Sequence, residues 1–468
     1  MGAAAGAVVR SLLPPPPAPE APPEEIRSAP PEGVLAPEAP PAALALPPLD
    51  AAGFDDLVRE TLRREGPLER DGVRAAGART ASSPQMPARL VRWVEPSGAP
   101  PEAITPPLRV EYTVSPELSR RVLRILERAR VELGHVVVMD PASGRIHAYI
   151  STAPDRFPPD RTYPAASLMK VVTAAAAMHY APELVRRPCR FAGSPYRLTR
   201  ARLREPPMGR EVSFESALAS SNNQCLARIA VRGVGAEALL GTIARFGLLE
   251  TPAPGHPPGE TRPVRDELDL GRLGCGLAGC RITPLHAVRL AATLADGQLV
   301  RPFWVDRVVD ARGLELSLPP RGPEARVMTA ALALELREML TATTRKGTAR
   351  RAFRDRRGRP LLGAIRVAGK TGSLSGRNPD GRYEWFAGVA PAGEPRVALA
   401  VVLVQGDLWW RNASQVAASV LEAIFCHRRQ CDASRAEALL GTPAPRTASS
   451  GPGTGGVPVA GPLHPAAR

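Results

Sequence analysis

The sequence predicts one domain of mixed α+β (α/β-type) class between two disordered flanks. The chain has 468 residues, enough for one large domain and flanking segments. Helical and strand-like patterns alternate between residues 111 and 432, with a long helical middle and an antiparallel strand meander near the end. Proline clusters outside this region, since residues 1–50 alone contain 14 of the 53 prolines.

The flanks have compositions that give little apolar surface to bury. Residues 1–50 are rich in Pro, Ala and Glu, which favours extended polyproline conformers, so we expect a disordered linker. Residues 51–110 contain one amphipathic candidate helix, Phe54–Arg64, and are expected to form a weakly ordered connector. Residues 433–468 are expected to form a short helix and then a disordered tail.

Hydrophobic periodicity and turn residues predict the elements of the central domain, residues 111–432. In chain order we expect a helix over Pro116–Leu133, strands over His135–Met139 and Ile146–Ser151, helices over Leu168–Tyr180 and Phe214–Arg232, strands over Ile365–Ser373, Tyr383–Ala390 and Arg396–Val404, and a helix over Ala413–Cys426. The Ala-rich composition of the second helix predicts that it is buried.

Two features bear on location. The longest apolar runs are short, such as Val397–Val404, so we expect no transmembrane helix. The opening residues carry Arg10 inside their apolar stretch and lead into Pro14–Pro17, so they fit a secretory signal poorly. We therefore expect either an intracellular chain or one whose export element is missing.

The basic charge has an unusual composition. The formal net charge is +15, yet Lys fills only three of the 61 basic positions. The run Arg345–Arg359 is interpreted as a solvated loop, and because the charge follows a global Arg bias without interleaved aromatics, we expect no nucleic-acid partner. Arg stays protonated, so a reaction that needs a titratable amine must use Lys170, Lys346 or Lys370.

The first motif of chemical interest lies at the start of the Ala-rich helix. Ser167 and Lys170 are three positions apart, which makes them neighbours on one helical face. A serine hydroxyl becomes a good nucleophile only when a nearby group takes its proton, and a buried lysine can be neutral enough to do so. The spacing therefore indicates a nucleophile and its base, although a helix cap with a surface lysine has the same pattern.

Two further motifs follow in the chain. The polar cluster Ser220, Ser221, Asn222 and Asn223 lies at the start of a helical run. The segment Lys370–Ser373 ends an apolar strand, where Gly372 would let a ligand lie close to the backbone. Each motif alone is weak, but together they use two of the three lysines.

These motifs resemble the Ser-x-x-Lys, Ser-x-Asn and Lys-Thr-Gly elements of the penicillin-binding proteins and serine β-lactamases. Val136–Ser151, Ile282–Pro302 and Trp385–Pro391 are also similar to segments of the family's cell-wall transpeptidases. The resemblance covers about residues 111–430. It implies a penicillin-binding transpeptidase domain with an antiparallel sheet flanked by helices and an all-helical subdomain.

The resemblance also implies roles for individual residues in an acyl transfer from D-Ala-D-Ala stem peptides. Ser167 would be the nucleophile, Lys170 its base, Ser221 a proton relay, and Asn223 a binder of the donor peptide's amide. Lys370 would keep the local potential positive. The residues expected to bind substrate are Thr371, Gly372 and Ser373, and the backbone N–H groups of Ser167 and Ser373 would form the oxyanion hole.

The register of the middle motif stays open at this stage, because Ser220 with Asn222 has the same spacing as Ser221 with Asn223. We prefer the second pair because Leu226 and Ile229 then fall where the family's helix is apolar.

The reaction also has alternatives. The preferred function is a peptidoglycan D,D-transpeptidase, with a D,D-carboxypeptidase as a close variant. A serine β-lactamase would need a base for its deacylating water, and Glu250, Glu260 and Glu267 lie in no recognisable deacylation motif. A non-catalytic β-lactam sensor or structural protein is a third possibility.

The remaining expectations concern cysteines and partners. Cys275 with Cys280 and Cys426 with Cys431 are the obvious disulfide pairs, and Cys225 is interpreted as a packing residue. The cysteine spacings are not those of zinc ligands, so we expect no metal and no cofactor. The family implies stem peptides as substrates, β-lactams as inhibitors, cell-wall synthesis proteins as partners, and an extracytoplasmic, inner-membrane-associated location.

Overall fold

The structure is a computed structural model that describes residues 48–65, 86–94, 107–405, 410–428 and 430–440. The predicted linker up to residue 47 and the tail from residue 441 lie outside the described residues. The helices are α1 (Ala51–Glu65), α2 (Pro116–Arg128), α3 (Met169–Tyr180), α4 (Pro182–Arg186), α5 (Phe214–Ala219), α6 (Asn223–Ile229), α7 (Ala236–Arg245), α8 (Glu267–Cys275), α9 (Pro284–Ala292), α10 (Ala330–Arg345), α11 (Ala413–Phe425) and α12 (Arg435–Leu440).

The strands are mostly short, apart from those of the main sheet. They are β1 (Val91–Val94), β2 (Leu108–Tyr112), β3 (Leu133–Met139), β4 (Ile146–Ser151), β5 (Tyr163–Pro164), β6 (Cys189–Phe191), β7 (Arg210–Val212), β8 (Glu260–Thr261), β9 (Cys280–Ile282), β10 (Gln298–Val300), β11 (Val305–Val309), β12 (Pro323–Arg326), β13 (Ala368–Gly376), β14 (Gly381–Ala390), β15 (Val397–Gln405), β16 (Cys426–His427) and β17 (Gln430–Cys431).

The centre of the domain is an antiparallel sheet of five strands in the order β13, β14, β15, β3, β4. Every residue of β15 from Val397 to Val404 is buried, so both faces of the sheet are covered. Helices α2 and α11 pack against each other and on the sheet, and α9 contacts β3, β14 and β15. The expected α+β class and the antiparallel meander are confirmed.

The two edges of this sheet have different surroundings. Along β4, Leu49 N donates to Tyr149 O at 2.9 Å, and Ser151 N donates to Leu49 O at 3.0 Å. The described chain before α1 therefore covers that edge. At the other end, β13 pairs only with β14 among the described strands, and its free side faces the cavity described below.

The helical part surrounds α3, which contacts α6, α7 and α8. Residues Met169–Ala177 of α3 are all buried, as its composition predicted. Two helix predictions were too long. Arg130 has a positive φ of 51° just after α2, so the chain turns into β3 instead of continuing to Leu133. The predicted helix Phe214–Arg232 is interrupted between α5 and α6, where Ser221 has a φ of 58°.

The expected weakly ordered connector contributes packed elements in its described parts. Helix α1 buries Phe54 and Leu57, and Thr61 Oγ1 donates to Val91 O at 3.0 Å. Strands β1 and β2 form a three-stranded sheet with β11. The described residues of the connector therefore pack against the domain. Local composition did not indicate this, because it does not reveal which residues the apolar face of α1 contacts.

The cysteine pairing differs from the expectation in part. Cys426 and Cys431 form a disulfide, as one expected pair. Cys275, at the end of α8, and Cys280, at the start of β9, are buried free thiols, so this expected pair was wrong. Cys225 is bonded to Cys189, 36 positions away, so its interpretation as a packing residue was wrong.

Two kinds of feature are absent from the described residues. None of the described helices is both long enough and apolar enough to span a bilayer. No cluster of three or more His, Cys, Asp or Glu suited to a metal occurs in the described ranges.

Candidate active site

Ser167 lies in a single 3₁₀ turn, Ala166–Leu168, that leads directly into α3. Ala166 has a φ of 49°, a left-handed conformation that places the turn against the sheet. Gly276 is packed behind it: a Cβ on Gly276 would lie 1.9 Å from Ala166 O. The sequence therefore needs glycine at 276 to hold the serine turn in this position.

Lys170 Nζ makes three hydrogen bonds at the centre of the site. It donates to Ser167 Oγ, to Asn223 Oδ1 and to Cys275 O, each at 2.7 Å. The side chain is fully buried, and this burial lowers the pKa of Lys170 to about 8. The predicted adjacency of Ser167 and Lys170 is thus present, and the amine is readily deprotonated for a lysine.

The structure distinguishes the two registers of the middle motif. Ser221 and Asn223 line the cavity, and Asn223 Oδ1 accepts the bond from Lys170. Ser220 Oγ donates instead to Ser216 O at 2.7 Å. Asn222 caps α6, since its Oδ1 accepts from Cys225 N at 3.1 Å. The geometry therefore supports the register of Ser221 and Asn223.

Lys370 is the second buried lysine of the site. Its Nζ donates to Ser221 Oγ at 3.0 Å and to Thr371 O at 2.9 Å. Burial lowers the pKa of Lys370 well below its ordinary value, and the nearby Lys170 lowers it further. The two ammonium groups thus disfavour each other's charge, which promotes a neutral amine at the site.

Strand β13 forms one wall and presents the three residues expected to bind substrate. Thr371 Oγ1 lies 2.6 Å from Thr348 Oγ1, and Ser373 Oγ accepts from Arg382 Nε at 2.5 Å. A Cβ on Gly372 would lie 3.4 Å from Ser167 N, so the strand edge passes close to the nucleophile's backbone. Glycine at this position allows that approach.

These residues surround one cavity of about 520 Å³. Of the predicted site residues, Ser167, Ser221, Asn223, Thr371, Gly372 and Ser373 line it, while Lys170 and Lys370 lie buried behind them. Sequence reasoning missed several lining residues, among them Tyr196, Thr348, Arg382 and Glu384. Arg382 and Glu384 belong to β14. Alternate residues of a strand face the same side of the sheet, and Glu384 is paired with Ser373 across the turn, so this pattern could have indicated both residues.

Comparison with protein families matches residues 134–425, more than half of the chain, to the penicillin binding protein transpeptidase domain. The chain belongs to the penicillin-binding protein transpeptidase family. The five strands of the main sheet and the turn with Ser167 all fall within or overlap the matched range.

Curated relatives of this transpeptidase-family chain are peptidoglycan D,D-transpeptidases by name. PbpA of Mycolicibacterium smegmatis is 28% identical over 262 residues, covering 52% of this chain and 50% of the relative. FtsI of Escherichia coli strain K12 is 28% identical over 246 residues, covering 49% of this chain and 38% of the relative. The chain thus spans half or less of the length of these relatives.

Solved structures show the same fold. The crystal structure of PBPA from Mycobacterium tuberculosis has a TM-score of 0.55 and 22% identity, covering 67% of this chain and 81% of that chain. The imipenem acyl-enzyme complex of penicillin-binding protein A from M. tuberculosis has a TM-score of 0.54, 23% identity, and covers 67% and 79%. The expected penicillin-binding transpeptidase fold is confirmed.

Proposed function

We propose that this chain is a peptidoglycan D,D-transpeptidase that forms an acyl-enzyme on Ser167. The observation that carries the proposal is the 2.7 Å contact between Ser167 Oγ and a buried lysine amine whose pKa is lowered to about 8. A nucleophile within hydrogen-bond reach of a base is the arrangement that covalent catalysis requires. The names of the relatives support peptidoglycan stem peptides as the substrate class.

In the first step, neutral Lys170 accepts the hydroxyl proton while Ser167 Oγ attacks the carbonyl carbon between the two terminal D-alanines. The tetrahedral intermediate carries its negative charge on the former carbonyl oxygen. The backbone N–H groups of Ser167 and Ser373 are the proposed donors to it, because the edge strand β13 runs beside the serine turn.

The intermediate collapses when the carbon–nitrogen bond breaks and D-alanine leaves as an amine, which must gain a proton. Ser221 is proposed to deliver this proton, since its Oγ lies 3.0 Å from Lys370 Nζ and faces the cavity. The product is an ester of Ser167. An amine of a second stem peptide then attacks the ester carbonyl, forms the cross-linking amide and releases the serine.

The donor peptide is proposed to lie along β13. The hydroxyls of Thr371 and Ser373 would bind its terminal carboxylate. Arg382 would place a positive charge beside that carboxylate, since its Nε donates to Ser373 Oγ. Asn223 would bind the peptide's amide. The same groups would hold a β-lactam, whose acyl-enzyme complexes exist for penicillin-binding protein A of M. tuberculosis.

The alternatives differ in how the ester is resolved. A β-lactamase needs a carboxylate or other base beside the ester, and Glu250, Glu260 and Glu267 are not among the described cavity-lining residues. Glu384 does line the cavity, and burial raises the pKa of its carboxyl. The absence of Glu250, Glu260 and Glu267 from the described lining favours transfer to an amine. The proposed location is outside the cytoplasmic membrane, where stem peptides and other cell-wall synthesis proteins are found.

The test is intact-mass measurement after incubation with a fluorescent penicillin. We expect a stable adduct on the wild type and none on Ser167→Ala. A D-Ala-D-Ala thioester with an added D-amino acid should then give the aminolysis product. Rapid release of the penicillin would indicate a β-lactamase, and an adduct without turnover of the thioester would indicate a sensor.

A further inference from the structure

A short segment of the helical part, residues 189–196, lies along α6, the helix that begins with Asn223. We call this segment the strap. Its first residue, Cys189, is bonded to Cys225 by a disulfide. Cys225 lies two positions after Asn223 in the same helix, so the covalent bond joins the strap to the helix that carries a proposed active-site residue.

Hydrogen bonds continue the attachment along the strap. Gln224 Nε2 donates to Ala192 O at 2.9 Å and to Ser194 O at 2.8 Å. Arg228 Nη2 donates to Arg190 O at 2.6 Å. The strap is therefore held to α6 through its own carbonyl groups, and these bonds require the strap to keep its position along the helix.

The far end of the strap fixes the amide of Asn223. Asn223 N donates to Pro195 O at 2.9 Å, and Asn223 Nδ2 donates to Tyr196 O at 2.7 Å. Because an amide carries its donor and acceptor on opposite sides, holding Nδ2 on the strap points Oδ1 towards Lys170. The half-exposed ring of Tyr196 also lines the active-site cavity.

The disulfide borders a second cavity. A cleft of about 430 Å³ is lined by both cysteines, by one carboxylate, Glu205, and by four arginines, namely Arg187, Arg204, Arg228 and Arg232. Arg228 Nη2 lies 3.1 Å from Cys189 Sγ. Positive groups around a disulfide attract an attacking thiolate and stabilise the thiolate that leaves.

We propose that the Cys189–Cys225 disulfide positions Asn223 and Tyr196 for acylation of Ser167, and that a dithiol entering the arginine-lined cleft switches acylation down. This inference rests on the proposed function. In the reaction, one thiolate of the dithiol attacks Cys189 Sγ and expels the Cys225 thiolate. The second thiol then attacks the mixed disulfide and releases the Cys189 thiol. The protein gains two electrons and two protons, and the dithiol leaves as a cyclic disulfide.

The experiment measures the second-order rate of acylation by a fluorescent penicillin in oxidised and dithiothreitol-reduced protein. We expect reduction to slow acylation roughly tenfold, because a small misplacement of a positioning group costs this much or more. Reoxidation with oxidised glutathione should restore the rate. The Cys426→Ser/Cys431→Ser variant lacks the other disulfide and should acylate like the wild type and respond equally to reduction.

The Cys189→Ser/Cys225→Ser variant should be slow under both conditions, with Cys189→Ala/Cys225→Ala as a second version in case the first does not fold. The pH dependence of the acylation rate distinguishes a positioning role of the disulfide from a general loss of rigidity in the protein. Without the Asn223 acceptor the ammonium of Lys170 is less favoured, so the midpoint of the rate profile should move below about 8 on reduction. An unchanged midpoint would mean a structural role alone and would overturn the proposal.

Two failures are distinguishable. If oxidised wild type forms no adduct, the proposed function is wrong. If it forms an adduct at the same rate whether oxidised or reduced, the function stands and the positioning role of the disulfide is wrong.

Discussion

Lys370 Nζ donates to Ser221 Oγ at 3.0 Å, although 149 positions separate the two residues. The bond joins the edge strand of the sheet to the break between α5 and α6. Ser221 reaches it because its positive φ of 58° turns the side chain out of the helical path. The break between α5 and α6 thus places Ser221 within hydrogen-bond reach of Lys370.

Ser221 and its neighbour Ser220 provide a direct test of the register. Ser221→Ala should lower the acylation rate by about 10²-fold, because a positioned proton-transfer group contributes that order. Ser220→Ala should leave the rate unchanged, since Ser220 Oγ bonds to Ser216 O. Stopped-flow acylation by a fluorescent penicillin measures both. Equal losses in the two variants would contradict the assigned register.

The three lysines of the chain allow a matched comparison of base and bystander. Lys170→Arg should lower acylation by about 10²- to 10⁴-fold, because a guanidinium cannot give up its proton at neutral pH. Lys346→Arg keeps the exposed ion pair with Glu215 and should acylate normally.

The wild-type acylation rate should depend on pH through Lys170. Only the neutral amine accepts the hydroxyl proton of Ser167, and burial lowers the pKa of Lys170 to about 8. The rate should therefore rise with pH through about 8 and then level off. Acylation kinetics between pH 6 and 10 measure this, and a rate that is flat below pH 9 would contradict Lys170 as the base.

Gly276 should be essential for the serine turn. Gly276→Ala would put a Cβ 1.9 Å from Ala166 O at a φ of 73°, so it should both destabilise the protein and abolish acylation. Gly255 has a similar φ of 78° but open space around it. Gly255→Ala should therefore cost only the backbone strain, about 1 kcal/mol. Thermal unfolding and adduct formation, measured on both variants, should separate the effect of the steric clash with Ala166 from the effect of backbone strain.

Two fully buried histidines should make the folded protein sensitive to acid. Burial lowers the pKa of His135 and of His147 to about 3, while the ordinary value is 6.5. Between pH 6.5 and 3 the unfolded chain binds a proton that the folded chain does not, so stability falls as the pH falls. The expected loss at pH 5 is about 2 kcal/mol for each histidine.

His135→Phe provides the corresponding variant. His135 stacks on Phe157 with ring centroids 4.3 Å apart, so an aromatic replacement keeps the packing. Unfolding in urea at pH 7 and pH 5 should show a smaller pH dependence for this variant than for the wild type. The exposed His179→Gln should retain the full dependence. No difference between the two variants would contradict the assignment.

Local spacing predicted the parts of the site that are close in sequence. Ser167 and Lys170 were expected to be neighbours because they share a helical face, and their side chains are in contact. Partners distant in sequence carry no such signal. The bond between Cys189 and Cys225 spans 36 positions, and the nearer spacing of Cys275 and Cys280 favoured the wrong pair.

The same distinction applies to the fold. Strands of the meander were predicted because consecutive strands pair through short turns. The pairing of β15 with β3 joins segments more than 250 positions apart, and no local pattern indicated it. The packing of α1 was missed because its apolar face is short and its partner strands lie in unremarkable sequence.

The backbone bonds of Leu49 along β4 have a practical consequence. An uncovered edge of a long, apolar sheet is a template for pairing with another molecule of the same protein. Because Leu49 occupies that edge, β13 is the other edge of the sheet, and it is the edge along which we propose that the donor peptide binds. Removal of the N-terminal residues up to and including Leu49 would leave two unpaired sheet edges in place of one. Protein shortened in this way should aggregate and precipitate during expression or storage.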